Sequence, residues 1–219
     1  MLSELKNKRL IWLANETLTD NTYVKTGFTS FDSHYQGLPS HGLIELQSKY
    51  GSGEIQFLLA YLRKKQEQGV VAIVQPPGLP CAELLLQENI KLDQIILITP
   101  KETKEALWAV EQCLQSGVCS NVLFWHENLN FTQARRINLA CEKEQTSLLL
   151  FRDFADNIIP ACKLSLRLEP EARGLKIKVQ KNRGRSAKID PLVSFDSLYS
   201  SHSPLVAHES WPNSVSFGG

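Results

Sequence analysis

No run of roughly 18 consecutive apolar residues occurs in the sequence, so no membrane-spanning helix is expected. The N-terminal stretch MLSELKNKRLIWLANE starts with charge but has no apolar core long enough for a signal peptide, which leaves a cytoplasmic location as the expectation. Net charge is nearly absent: 24 Lys and Arg against 23 Asp and Glu give +1, so the overall balance selects no partner. No C-x-x-C pair occurs. The five cysteines (Cys81, Cys113, Cys119, Cys141 and Cys162) are odd in number and far apart, which argues against zinc and dithiol chemistry and for buried apolar roles in a reducing compartment. The sequence points to no histidine partner for a catalytic cysteine, and it has no internal repeat. What is present is ordinary for a globular domain: 219 residues, 42% hydrophobic and 21% charged, enough for one sizeable core.

The pattern along the chain predicts an α/β protein. Residues 1–22 read as a short helical segment carrying Leu10, Ile11 and Leu13. The turn-rich GFTSFDSHYQGLP follows, with a short helix capped by Thr29 or Ser30. From there strands and helices alternate. Strands are expected at Leu43–Gln47, Val70–Val74, Ile95–Ile98, Asn121–Trp125 and Ser147–Phe151, and helices over 54–68, 81–88, 101–115 and 132–144. The segments 163–169 and 175–181 alternate strictly and predict a hairpin turned at 171–174. Repeated βαβ units imply a mainly parallel sheet, flanked by helices, with a late antiparallel β-hairpin at one edge. Residues 23–190 form the expected domain. Residues 191–219, rich in Ser and Pro and free of Lys and Arg, read as a flexible tail with scattered apolar residues such as Phe195.

The segment LIELQSKYGSGEIQFLL places a loop between strand and helix where a phosphate-binding loop would lie. Such a loop reads G-x-x-x-x-G-K-[ST]: glycines let backbone N–H groups wrap the phosphates, Lys neutralises them, and the hydroxyl holds Mg²⁺. Aligned on that pattern, Ser48 replaces the first glycine, Gly51 falls at a variable position and Gly53 matches the second glycine. Glu54 stands at the lysine position and Ile55 at the Ser/Thr position. A carboxylate facing phosphate reverses the required charge, at a cost of about 4 kcal/mol for two unit charges ~4 Å apart in a partly shielded setting. Isoleucine ligates no metal. The loop reads as a tight turn that has lost the phosphate chemistry, with no catalytic residue, no metal and no cofactor expected.

The segment TGFTSFDSHYQGLPSHGLIELQSKYGSGEIQFLLAYLRK resembles the opening of RecA, through Thr26-Gly27, Phe31-Asp32, Gly37-Leu38-Pro39, Gly42 and Glu45. Within the RecA-like proteins the chain is most similar to the ImuA family, which is related to SulA. Three stretches carry that likeness: Pro76-Pro77-Gly78-Leu79-Pro80, the helix with Trp108, Glu111, Leu114, Ser116 and Gly117, and LKIKVQKNRG at 175–184. The resemblance spans about residues 8–188. It implies a RecA-like fold without ATPase activity, because Glu54 and Ile55 replace the nucleotide-loop residues, Pro76-Pro77 stands where the catalytic glutamate would follow the next strand, and Trp125 occupies the Walker B aspartate position. It further implies a role in the bacterial SOS response to DNA damage, supporting mutagenic translesion synthesis with an ImuB-like polymerase-related protein and an error-prone polymerase. RecA and single-stranded DNA are further candidate partners, and no membrane is implied. The alternative that the resemblance leaves open is a SulA-type cell-division inhibitor binding FtsZ; a residual ATPase is a third reading, supported only by Gly53 and the loop's setting.

Charge is uneven despite the balanced total. Nine basic residues fall between 161 and 190, opposed by Glu169, Glu171 and Asp190 alone. In a strand, Lys176, Lys178 and Gln180 share one face, and Lys181, Arg183, Arg185 and Lys188 crowd the following loop near Gly184. Cations so arranged suit a salt-sensitive contact to DNA phosphates or to an acidic protein partner. An edge strand guarded by lysines has the same pattern. Arg135-Arg136 either adds to the strip or covers a helix. Trp108 and Trp125 read as packing residues, and Glu127 and Asp153 as loop-surface carboxylates.

Overall fold

A computed structural model of the chain describes residues 23–183 and 189–196. The expected N-terminal helical segment and most of the expected tail lie outside those residues.

The strands are β1 (Tyr23–Val24), β2 (Leu38–Pro39), β3 (Gly42–Gln47), β4 (Val70–Val74), β5 (Ile95–Ile98), β6 (Cys119–Trp125), β7 (Ser147–Arg152), β8 (Leu164–Glu171), β9 (Gly174–Asn182) and β10 (Leu192–Ser194). The helices are α1 (Thr29–Tyr35), α2 (Glu54–Gln66), α3 (Ala82–Gln87), α4 (Thr103–Gln115) and α5 (Phe131–Lys143). Eight strands form one sheet in the order β10-β9-β8-β3-β7-β6-β4-β5. The six strands from β8 to β5 run parallel, while β9 and β10 extend the sheet antiparallel at one edge. The sheet is thus mainly parallel with a late hairpin, as the alternation in sequence predicts.

Burial explains this arrangement. The central strands β3, β6 and β7 are buried along their whole length, which only a sheet covered on both faces allows. One core layer joins α1, α2 and α3 to the sheet through Phe31, Phe57, Tyr61, Leu46 and Leu149. The other joins α4 and α5 through Val110, Ile137, Phe124 and Leu148. Helix α2 buries Leu58, Leu59 and Leu62, with Ile55 partly buried beside them. Phe57 and Tyr61 are also fully buried, and the Tyr61 hydroxyl meets Ser147 Oγ at 2.8 Å and donates to the Pro39 carbonyl at 3.1 Å.

Two local expectations need correction. Helix α1 starts after Phe28, and neither Thr29 nor Ser30 caps it. Asp32, inside the helix, instead accepts the backbone N–H groups of Thr26 and Gly27 at 3.0 Å each and the Thr26 hydroxyl at 2.9 Å. The second concerns the tail. Residues 192–194 form a strand paired with β9, with Val193 fully buried and Phe195 packed edge-on against Phe28. The ordered domain therefore runs past Pro191, because two apolar side chains find a place in the core.

Candidate functional site

The strand ends at β3, β6 and β7 and the loop after β3 meet at the carboxyl edge of the sheet, where α/β proteins place their sites. The loop at 48–53 leaves β3 and enters α2 with Gly53 at φ 104°, a left-handed conformation natural to glycine. A Cβ at Gly53 would lie 2.6 Å from the Phe195 ring, so the C-terminal strand closes on the loop at this point.

Glu54 is buried and its side chain turns back into the loop. Its Oε1 accepts the backbone N–H of Gly51 at 2.8 Å. In a working phosphate loop such N–H groups face phosphate oxygens. Here the chain supplies its own anion. Glu54 Oε2 is buried and finds no hydrogen-bond partner among the described residues. Ile55 faces an apolar cavity beside the loop. The Ser48 hydroxyl is likewise buried without a partner among the described residues.

Neighbouring loops tie the phosphate-loop segment down. The Tyr50 hydroxyl donates to Glu127, and Glu127 also accepts the Asp153 N–H at 3.1 Å. Burial, then the bond to Glu127, raises the Tyr50 hydroxyl well above its ordinary pKa. Lys49 pairs with Asp153 at 2.7 Å, and this bond holds the Asp153 carboxyl below its usual range. Glu127 and Asp153 are thus cross-links between loops. Beneath them lies a buried ion pair, Glu45 with Arg152 at 3.2 Å. Glu45 also accepts the Ile159 N–H at 3.2 Å, fixing the loop after β7.

At the end of β6 the Trp125 ring stacks on Phe151, with centroids 4.3 Å apart and planes 8° from parallel. Its Nε1 is buried without a partner among the described residues. Gln75, which follows β4, adopts φ 53° ahead of Pro76 and Pro77. His126 stacks on Phe124, meets the Asn128 carbonyl at 2.8 Å through Nε2, and has its pKa lowered by burial. Trp108, in contrast to the packing role expected for it, is 65% exposed on α4. Arg136 pairs with Glu111, tying α5 to α4, so it covers helices.

On the hairpin, Leu175, Ile177 and Val179 are buried while Lys176, Lys178 and Gln180 lie half-buried on the other face. Pairing sets Arg167 opposite Lys178 and Glu169 opposite Lys176. Glu169 therefore lies among the cations: Lys178 bonds it at 2.8 Å and Arg167 approaches at 3.4 Å. The Arg167 guanidinium also sits 4.4 Å from the Phe154 ring centroid. Lys181 donates to the Pro160 carbonyl, and Arg183 is exposed. Arg185 and Lys188 lie outside the described residues. Of the three acidic residues near the strip in sequence, strand register singles out Glu169 as the one that pairs with Lys178 and Arg167.

Among the described residues, no group of three or more His, Cys, Asp or Glu side chains could hold a metal ion, and no helix is long and apolar enough to cross a membrane.

The strand order, the parallel core and the loop after β3 define a RecA-like α/β fold. Among solved structures the chain is similar to the RadB recombinase, with a TM-score of 0.61 and 18% identity over 75% of this chain and 92% of that one. It is also similar to SulA from Pseudomonas aeruginosa, with a TM-score of 0.44 and 22% identity over 51% of this chain and 98% of that one. No protein-family model and no curated protein sequence matches the chain.

Proposed function

We propose that the protein is a non-enzymatic RecA-like accessory factor of the bacterial SOS response, of the ImuA type, that supports mutagenic translesion synthesis through protein partners. One observation carries the non-enzymatic part: Glu54 occupies its own loop by accepting the Gly51 N–H. A triphosphate would have to displace that carboxylate and then face its charge. No loop lysine neutralises the incoming phosphates, and Ile55 offers Mg²⁺ no oxygen. At the Walker B position Trp125 is committed to stacking on Phe151.

The partners in this proposal are an ImuB-like polymerase-related protein and an error-prone polymerase. The RecA-like fold supports a setting in DNA repair, and the hairpin cations Lys176, Lys178, Lys181 and Arg183 supply a surface for DNA phosphates or an acidic partner. The test has two arms. Purified protein incubated with Mg-ATP releases no phosphate above the buffer rate. Co-expressed with an ImuB-like protein, it co-purifies as a complex. ATP turnover that is lost on changing Gly53 to Ala overturns the non-enzymatic claim. Failure to bind the ImuB-like protein, together with sedimentation alongside FtsZ, replaces the repair role with division inhibition.

A further inference from the structure

Strand β5 is one edge of the eight-stranded sheet. It pairs with β4 on one side, and no strand among the described residues pairs with the other. Its residues are Ile95, Ile96, Leu97 and Ile98, with no charge and no proline among them. Ile96 is 46% exposed and Leu97 41% exposed. Native sheets guard a free edge with lysine, proline or a bulge, because bare N–H and C=O groups there accept another strand. Strand β5 is short but carries none of these guards.

The phase of its backbone is fixed. The Gln75 N–H donates to the Ile98 carbonyl at 2.9 Å, so Ile98, and with it Ile96, turns its polar groups toward β4. Successive residues alternate, so Leu97 turns its N–H and C=O outward, and Ile95 and Thr99 share that phase. The Ile95 N–H is already used, donating to the Leu92 carbonyl, which leaves its carbonyl for a partner. Side chains alternate in step. Ile95 and Leu97 lie opposite Val71 and Ile73 on the face covered by α1, α2 and α3, and Ile96 and Ile98 lie opposite Ala72 and Val74 on the face covered by α4 and α5.

We propose that β5 pairs antiparallel with β5 of a second copy of this chain, across a two-fold axis at Leu97, to make one continuous sheet. In this register each Leu97 N–H meets the Leu97 carbonyl of the other copy, and each Thr99 N–H meets the other Ile95 carbonyl. Leu97 covers Leu97 on one face, and Ile96 covers Ile98 on the other. Further out, Asp93 of each copy falls opposite Lys101 of the other. Both are exposed, and neither has an ion-pair partner among the described residues. Moving the axis to Ile96 would leave Thr99 unpaired and set Lys91 against Lys101. A shift of one residue would set outward groups against inward ones and opposite faces together. Charge and backbone phase therefore select the same register. The surface is independent of the proposed role in repair.

Sedimentation velocity of full-length protein, across a concentration series into the high micromolar range, tests the pairing. Wild type should pass from monomer to dimer. Leu97→Lys places two ammonium groups together on the axis and should leave the protein monomeric. Asp93→Lys and Lys101→Asp each set like charges opposite one another, and each should weaken self-association about tenfold. Mixing these two variants restores opposite charges at both ends, so an equimolar mixture should dimerise as wild type does. Circular dichroism and thermal melts matching wild type show that each variant is folded, and the wild-type series decides without them if it remains monomeric throughout. A monomer at every concentration overturns the proposal. So does a dimer that survives Leu97→Lys, which places the interface elsewhere. Loss of the dimer with Leu97→Lys but no rescue on mixing the charge variants also overturns it, because a different strand then occupies the edge.

Discussion

Glu54 Oε1 accepts the backbone N–H of Gly51 at 2.8 Å, so the first residue of α2 folds its side chain back onto the loop that leads into it. The bond is charge-assisted but spans only three residues and lies at a partly exposed turn. Replacing Glu54 with Ala should lower folding stability by about 1 kcal/mol. Glu54→Gln should cost less, because its amide oxygen can still accept from Gly51. Urea denaturation of the three proteins measures both effects.

Gly53 carries two constraints that substitution can separate. Its φ of 104° disfavours any side chain, by roughly 1–2 kcal/mol. The Phe195 ring also stands 2.6 Å from where a Cβ would lie. Gly53→Ala should therefore destabilise by more than the backbone cost alone. Adding Phe195→Ala should remove the steric part, so that the double variant is more stable than the sum of the two single effects predicts. A double-mutant cycle in urea reads this directly.

The Glu45–Arg152 pair is the most deeply buried charge cluster described, with side chains 0% and 5% exposed. Breaking it leaves an uncompensated charge inside the protein. Arg152→Met or Glu45→Met should each cost about 3–5 kcal/mol. Changing both to Met removes both charges together and should cost clearly less than the sum. Thermal melts and urea curves of the four proteins test this, and additive losses would count against coupling.

The fold was legible wherever local pattern decides the outcome. Val70–Val74 and Ile95–Ile98 emerge with the predicted bounds because each is a short apolar run closed by polar or turn residues. The hairpin follows from strict alternation, with Leu175, Ile177 and Val179 turned inward. Helix starts were less legible: α4 begins at Thr103 because Glu102 and Glu105 form a capping box, and α5 begins at Phe131 because Asn130 and Gln133 do the same. Long-range pairings left no local signal. Strand β10 holds a single fully buried residue, Val193, and depends on register with β9. At the site, the departure of Glu54 and Ile55 from the Lys and Ser/Thr of a phosphate loop could be read from the sequence. That the carboxylate turns into the loop, or that Trp125 and Glu54 line one cavity, could not, since both depend on side-chain packing across elements distant in sequence.

Lys65 is buried on α2, where its ammonium donates to the Ser40 carbonyl at 2.8 Å and to Gln68 at 3.2 Å. Desolvation lowers its pKa from 10.5 to about 8. Between these values the unfolded chain holds the proton more firmly than the folded one, so this group makes stability rise with pH. Cys141 and Cys162 act in the opposite direction. Burial pushes both thiols up to about 12, so the unfolded chain loses those protons first and stability falls above their ordinary pKa of 9. The difference between wild type and Lys65→Met isolates the lysine. Wild type should gain stability relative to the variant from pH 8 to pH 10.5, and a flat difference across that range would refute the assignment.

Glu169 sits in the middle of the basic strip, 2.8 Å from Lys178 and 3.4 Å from Arg167. If the strip meets DNA, these two cations must leave Glu169 to reach phosphates, and the carboxylate itself repels the backbone. Neutralising Glu169 frees both at once. Glu169→Gln should therefore tighten binding to a single-stranded oligonucleotide and steepen its salt dependence, each added phosphate contact contributing a slope of about −0.7 in log K against log salt. Changing Lys176, Lys178, Lys181, Arg183 and Arg185 to Ala should abolish the same binding. Fluorescence anisotropy across a salt series separates the alternatives. If Glu169→Gln leaves a measurable wild-type affinity unchanged, the DNA lies elsewhere. If the wild type does not bind even at low salt, the strip serves a protein partner, and the same pair of variants should then be compared in binding to the ImuB-like protein.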